Sequence, residues 1–198
     1  MPKYIIITLI FIAALSACNK AANKKVLIMG RGTITTNGND VSMKDGTGYT
    51  EETVEVSADK PISWSVTTPA GKTTVDIPAE PGFYILNLKT DTIVGSRQVM
   101  GNDLSSNHVI TQEELRHKID SLIKLTSGAN ILAGHNYIVM PGKLTKIADN
   151  IDINVYGPFT KIPGTLQADK NGKAPELYKF YTNEEMRELI SRLKKLTY

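Results

Sequence analysis

TVEVSADKPISWSVTTPAGKTTVDIPAEPGFYILNLKTDTIVGSRQVM, residues 53–100, is the stretch on which the fold turns. Its apolar residues alternate with polar ones over short runs. Thr53-Val54-Glu55-Val56 puts two valines on one face, and Ile62-Ser63-Trp64-Ser65-Val66 does the same with Ile62, Trp64 and Val66. A period of two is the mark of a strand with one buried face. Val75 and Ile77, then Phe83 to Leu88, then Ile93 to Met100 continue the series. Between the runs lie Ala58-Asp59-Lys60-Pro61, Pro69-Ala70-Gly71-Lys72, Ala79-Glu80-Pro81-Gly82 and Lys89-Thr90-Asp91, all rich in turn formers. Closely spaced short strands broken by Pro, Gly and Asp predict a β-sandwich. Val26 to Met29 opens it, and residues 37–48 (NGNDVSMKDGTG) read as a long flexible loop.

Two details refine this reading. Trp64 stands where immunoglobulin-like domains bury a tryptophan between their sheets. Pro81-Gly82-Phe83-Tyr84 resembles a tyrosine corner, whose hydroxyl bonds back to upstream backbone. The order TVEVS, ISWSV, TTVDI, FYILNL, TIVGSRQV thus resembles the B, C, E, F and G strands of a bacterial immunoglobulin-like module. The resemblance implies an immunoglobulin-like β-sandwich domain over residues 26–103. Trp64 could alternatively be a platform for stacking a sugar; its period-two partners Ile62 and Val66 favour the core.

Residues 104–198 read as an α+β domain bracketed by two amphipathic helices. Thr111 and Glu114 form a capping box, with Ile110 and Leu115 as the hydrophobic staple. The first helix runs to about Thr126, with Leu115, Ile119, Leu122 and Ile123 on one face and Gly128 closing it. Thr182 and Glu185 repeat the box, Tyr181 and Met186 the staple, and Met186, Leu189, Ile190, Leu193 and Leu196 make the stripe. ITQEELRHKIDSLIKLT (110–126) matches YTNEEMRELISRLKKLT (181–197) at nine of seventeen positions. Convergence of capping boxes and amphipathic helices accounts for this better than an internal duplication does, because the similarity stops at the helix ends. Asn136 to Met140, Leu144 to Ile147, Ile151 to Tyr156 and Glu176 to Tyr181 read as strands between the helices. Overall the fold class is mixed β and α+β.

Met1 to Lys3 is a short basic start, and Tyr4 to Ala14 (YIIITLIFIAA) is uncharged and apolar. That run is shorter than the ~20 residues a spanning helix needs, and with the small residues after it forms an export signal. Leu15-Ser16-Ala17-Cys18 resembles the lipobox of bacterial lipoproteins. The resemblance implies a signal peptide over residues 1–17, cleavage before Cys18, acylation of Cys18 as the lipid attachment site, and a lipidated tether over residues 18–25. AEPGFYILNLKTDTIVGSRQVMG and ELYKFYTNEEMRELI further resemble segments of Bacteroidota-type envelope lipoproteins. Asn19 is not an aspartate and no acidic cluster follows Cys18. By analogy this places the protein in the cell envelope, on the periplasmic face of the outer membrane.

The chain has 198 residues, a net charge of +3, one cysteine and three histidines. The charge is too mild and too dispersed for a nucleic-acid partner. The single cysteine excludes an internal disulfide and cysteine-built metal sites. There is no G-x-S-x-G elbow, H-E-x-x-H or P-loop. Gly30-Arg31-Gly32 starts like a dinucleotide fingerprint but reads as a strand bend. Asp169-Lys170-Asn171-Gly172 echoes a calcium loop without its later ligands and reads as a turn. Asp149 and Asp152 are a candidate carboxylate pair that reads as solvated loop. His117 forms a surface pair with Glu113, and His108 and His135 are isolated from it. Arg187, Arg192, Lys194 and Lys195 suit the C-terminal end of a helix dipole. No catalytic, cofactor or metal residue is assigned. The expected function is a lipid-anchored, non-catalytic binding module, with the membrane and an envelope protein or glycan as partners. The alternatives are an enzyme acting on an envelope polymer and a purely structural tether.

Overall fold

The computed structural model describes residues 23–98, 111–129, 134–158, 160–163 and 176–197. The protein is mostly β-sheet, with two helices. Among the described residues ten strands form two sheets: β1 (Lys24–Asn37), β2 (Asp40–Val56), β3 (Ile62–Thr68), β4 (Gly71–Ile77), β5 (Gly82–Asn87), β6 (Ile93–Gln98), β7 (Asn136–Val139), β8 (Leu144–Ala148), β9 (Asn154–Tyr156) and β10 (Leu177–Thr182). The first sheet has the order β4-β3-β2-β1-β5-β8, the second β7-β6-β10-β9. Strands are exchanged across the expected split at residues 103 and 104. β6, from the first half, sits in the second sheet, and β8, from the second half, edges the first.

The first sheet is strongly bent. Asp40 at the start of β2 pairs with Ser65 of β3. A straight strand from Asp40 to Val56 would span about 53 Å, yet the nine-residue path from Val56 to Ser65 reaches only about 30 Å. β1 and β2 must therefore fold over, and the register between them shifts between Arg31 and Thr33. Gly32 sits at that shift with φ +105°, and a Cβ there would stand 1.9 Å from the Lys44 carbonyl oxygen. Only glycine satisfies both constraints. The expected strand bend at Gly30-Arg31-Gly32 is thus a bulge that turns the corner of the sheet.

The bend closes a core. Val26, Ile28, Val56, Tyr84 and Leu86 from one half meet Ile34, Val41, Trp64, Val66, Val75 and Ile77 from the other. The edge strands β4 and β8 approach each other across the gap. Trp64 is 2 % exposed, which bears out its core reading. The Tyr84 hydroxyl donates to the Glu80 carbonyl at 2.8 Å, the bond expected of a tyrosine corner.

Residues 37–48 are not a loose loop. Asn37 pairs with Asp40 across Gly38 (φ +58°) and Asn39, a two-residue hairpin turn, and Val41 to Lys44 are paired strand. The Asn-Gly signal was present, but few apolar residues flank it.

The first half of β1, Lys24 to Gly30, runs parallel to β5, and the pair is buried on both faces. Val26, Ile28, Tyr84 and Leu86 point into the core just described. Leu27, Met29, Phe83 and Ile85 point the other way, onto Ile93, Val139, Tyr178 and Phe180 of the second sheet. Gly95 leaves the space that the Phe180 ring opposite it fills. The outer face of the second sheet carries Val94, Ile138 and Tyr181, and on it lie α1 (Gln112–Thr126) and α2 (Asn183–Lys194). The order of layers is bent sheet, second sheet, helix pair.

Both helix starts carry the expected capping boxes. The backbone N–H of Glu114 donates to Thr111 Oγ1 at 3.2 Å and that of Glu185 to Thr182 Oγ1 at 3.1 Å, with the reciprocal carboxylate bonds present. Met186 and Ile190 are buried as the stripe requires. Ile123 and Leu196, assigned to apolar faces, are instead exposed. Ile123 lies at the margin of α1, and Leu196 lies past the end of α2, which stops at Lys194 and is capped by Lys195.

Two substitutions test this architecture by chemical denaturation. Gly32→Ala is expected to cost more than about 2 kcal/mol, from the disfavoured positive φ together with the backbone clash. Trp64→Ala is expected to cost about 3–5 kcal/mol, as large aromatic truncations in cores do. Wild-type midpoints would refute the corner and the core assignment respectively.

Candidate functional site

The residues singled out in the sequence do not converge. Cys18, His108 and Asp169-Lys170-Asn171-Gly172 lie outside the described residues. His117 is exposed and 3.8 Å from Glu113, the surface pair expected one helical turn apart. His135 is exposed, and its carbonyl accepts the Arg97 N–H at 2.8 Å. Asp149 and Asp152 engage different cations: Asp149 lies 2.7 Å from Lys146, Asp152 3.2 Å from Lys25. They are not a catalytic pair. Among the described residues no group of three or more His, Cys, Asp or Glu could hold a metal. In α2, Glu184 and Glu185 open the helix and Arg192 and Lys194 close it, the arrangement that suits its dipole.

What the fold builds instead is an open groove of about 760 Å³ at the edge where the two sheets meet. Tyr137 and Ile138 of β7 form one wall, Thr145 to Ala148 of β8 the other, and Glu176 and Tyr178 of β10 the back; Asp149 and Asn150 sit on the rim. Its floor is aromatic. Tyr137 stands edge-on to Tyr178, with centroids 5.9 Å apart at 68°, and 6.3 Å from Phe180. The Tyr178 hydroxyl donates to Glu176 Oε1 at 3.0 Å, and Arg97 Nε lies 3.3 Å from the same oxygen.

Burial pushes the Tyr178 phenol far above its ordinary value, and its bond to the Glu176 carboxylate adds to this. Burial also raises Tyr137. The hydrogen bond to Asp149 raises Lys146. Each of these shifts leads away from neutrality, whereas general acid–base work asks for groups brought toward it. The groove presents fixed donors, acceptors and rings.

A second polar cluster lies at the far end of the second sheet and is structural. Lys179 Nζ donates to the carbonyls of Gly157 (2.5 Å) and Thr160 (2.8 Å), clamping that segment onto β10. Thr160 Oγ1 donates in turn to Glu51 Oε2 at 2.8 Å. Lys89 Nζ stands 4.7 Å from the centre of the Tyr49 ring, a cation–π contact. Lys89 and Lys179 are 6 % and 8 % exposed, so their chains cross the apolar margin to reach these partners.

Burial holds the pKa values of Lys89 and Lys179 below the ordinary 10.5, with nearby carboxylates, Glu185 and Glu51 among them, opposing the shift. Between the lowered values and 10.5 the unfolded chain binds more protons than the folded one, so stability rises with pH through that window. Tyr137, Tyr178 and Tyr181, raised above 10.0, act oppositely. Above pH 10 the unfolded chain loses its phenolic protons first, and stability falls. Denaturation midpoints followed into the alkaline range are expected to climb, turn at about pH 10 and drop. The Lys89→Met/Lys179→Met double variant should reduce the climb, leaving the share of Lys24, which burial also lowers, and keep the drop; an unchanged climb would refute the assignment.

Compared with known proteins, the chain matches no family, no curated protein and no solved structure.

Proposed function

We propose that the protein is a lipid-anchored, non-catalytic binding module of the bacterial cell envelope, held through Cys18 on the periplasmic face of the outer membrane. The ligand is a component of that envelope, in the sequence reading a protein or a glycan. The observation that supports binding is the groove between β7 and β8: open, floored by tyrosines, rimmed by Lys146, Asp149 and Glu176, with its shifted groups moved away from neutral pH. The lipobox Leu15-Ser16-Ala17-Cys18 and the singular cysteine support the anchor. The body begins close behind it, since Asn23 already bonds to Val56 and Gly82. Two or more acyl chains on one residue hold a protein firmly on a bilayer, whereas one does not.

The immunoglobulin-like reading belongs to the same proposal. Buried Trp64 and the Tyr84–Glu80 corner support it. Against it, β3 pairs with β4 as a hairpin, and β5 lies parallel to β1.

Cys18→Ala is expected to abolish membrane pelleting and to leave an uncleaved or unlipidated product in the intact mass spectrum. Equal membrane retention and no mass difference beyond the substitution itself would refute the anchor.

A further inference from the structure

We propose that the groove between β7 and β8 faces the bilayer and takes the zwitterionic phosphoethanolamine headgroup of a membrane lipid. The inference rests on the lipid-anchor reading and puts a lipid headgroup in the groove, in place of the protein or glycan expected from the sequence.

The position of the groove follows from where the ordered chain starts. The Asn23 N–H donates to the Val56 carbonyl, and the Gly82 N–H donates to the Asn23 carbonyl, each at 3.1 Å. Gly82 lies against the groove wall: a Cβ there would stand 2.5 Å from the Ala148 carbonyl oxygen and 2.8 Å from Lys146 Cε. Lys25 Nζ reaches Asp152 at 3.2 Å, tying the first turn of β1 to the segment just past the rim. The five Cα steps from Cys18 to Asn23 span at most about 18 Å. An acylated Cys18 therefore keeps the rim within little more than a tether length of the headgroups. Thr90, in the turn beyond the opposite end of β5, stands more than the length of that strand farther from the tether.

The chemistry of the rim selects the headgroup. Lys146 and Asp149 are 2.7 Å apart, and the Asp149 side chain is 94 % exposed. A pair so exposed is worth little in water, so each partner can exchange the other for an opposite charge on a ligand. Lys146 then meets a phosphate and Asp149 an ammonium, while Glu176 keeps its bonds to Arg97 and Tyr178. Glu80, 3.5 Å from Lys146, is a second carboxylate beside that cation, and this set fits a ligand carrying both signs and disfavours a purely anionic headgroup. The carboxylates need N–H donors, which phosphoethanolamine has and phosphocholine lacks. Tyr137 and Tyr178 give the amphipathic rings suited to the boundary between lipid and water.

The test uses the full lipidated chain in vesicles. Because the single native cysteine is acylated, a cysteine introduced as Asn150→Cys at the rim, or as Thr90→Cys at the far turn, takes a fluorophore selectively. Nitroxide-headgroup lipid is expected to quench the label at position 150 and spare that at 90. The emission at 150 should respond to phosphatidylethanolamine vesicles and not to phosphatidylcholine or phosphatidylglycerol ones. Lys146→Met, or Asp149→Asn at its exposed site, should weaken that response roughly tenfold, as the loss of one charge-assisted hydrogen bond would. An unmodified Cys18 in the mass spectrum would overturn the anchor reading itself. A lipidated chain whose two labels are quenched alike would overturn the membrane-facing groove while the anchor stands. A response equal in all three lipids, or unchanged in both variants, would overturn the headgroup assignment.

Discussion

The structure depends on a parallel pair, the first half of β1 (Lys24 to Gly30) against β5, that is covered on both faces. β1 and β5 run side by side in parallel, with Val26, Ile28, Tyr84 and Leu86 filling the bent sheet and Leu27, Met29, Phe83 and Ile85 filling the space beneath it. Parallel pairs covered on both sides are where near-continuous apolar runs occur, and VLIM and FYIL are such runs. Everything else is arranged to cover them. The corner at Gly32 folds the distal halves of β1 and β2 over one face. The second sheet covers the other, and the two helices then cover that sheet. The groove exists because the second layer does not close against β8 at its margin.

What could be read from the sequence was the local part. The capping boxes at Thr111 and Thr182 involve groups three residues apart, so a four-residue pattern determines them. Trp64 among alternating apolar neighbours and the corner at Tyr84 follow from short patterns in the same way. The layering was harder to read. Alternation suggests strands with one wet face, and the unbroken runs in β1 and β5 pointed to a second cover that period-two reasoning passes over. The hairpin at Asn37 to Asp40 carried its turn signal, but the polar residues around it resembled a loop.

The groove was illegible for a different reason. Its walls come from β7, β8 and β10, and its tether-side neighbour, Gly82, from β5; only the tertiary fold brings them together. Asp149 was noticed, but as half of a carboxylate pair; its partner is Lys146, and Asp152 belongs to Lys25. Lys89 and Lys179 drew no attention because lysine is by type a surface residue. Lys179 is buried in the middle of β10 and Lys89 in the bend just after β5, and each long stem carries its ammonium to a ring or a set of carbonyls.

The strand order also constrains how the chain can be assembled in time. β1, the earliest strand in sequence, is central in the first sheet, and its neighbour β5 is about sixty residues downstream. β10, the latest, is central in the second sheet, between β6 and β9. Neither sheet has a middle until distant segments have met, so contact order is high and loop closure must precede most of the stabilising contacts. A chain delivered amino-end first would spend its transit with the apolar run of β1 uncovered. Only when residues 177–182 arrive can the last layer close over it.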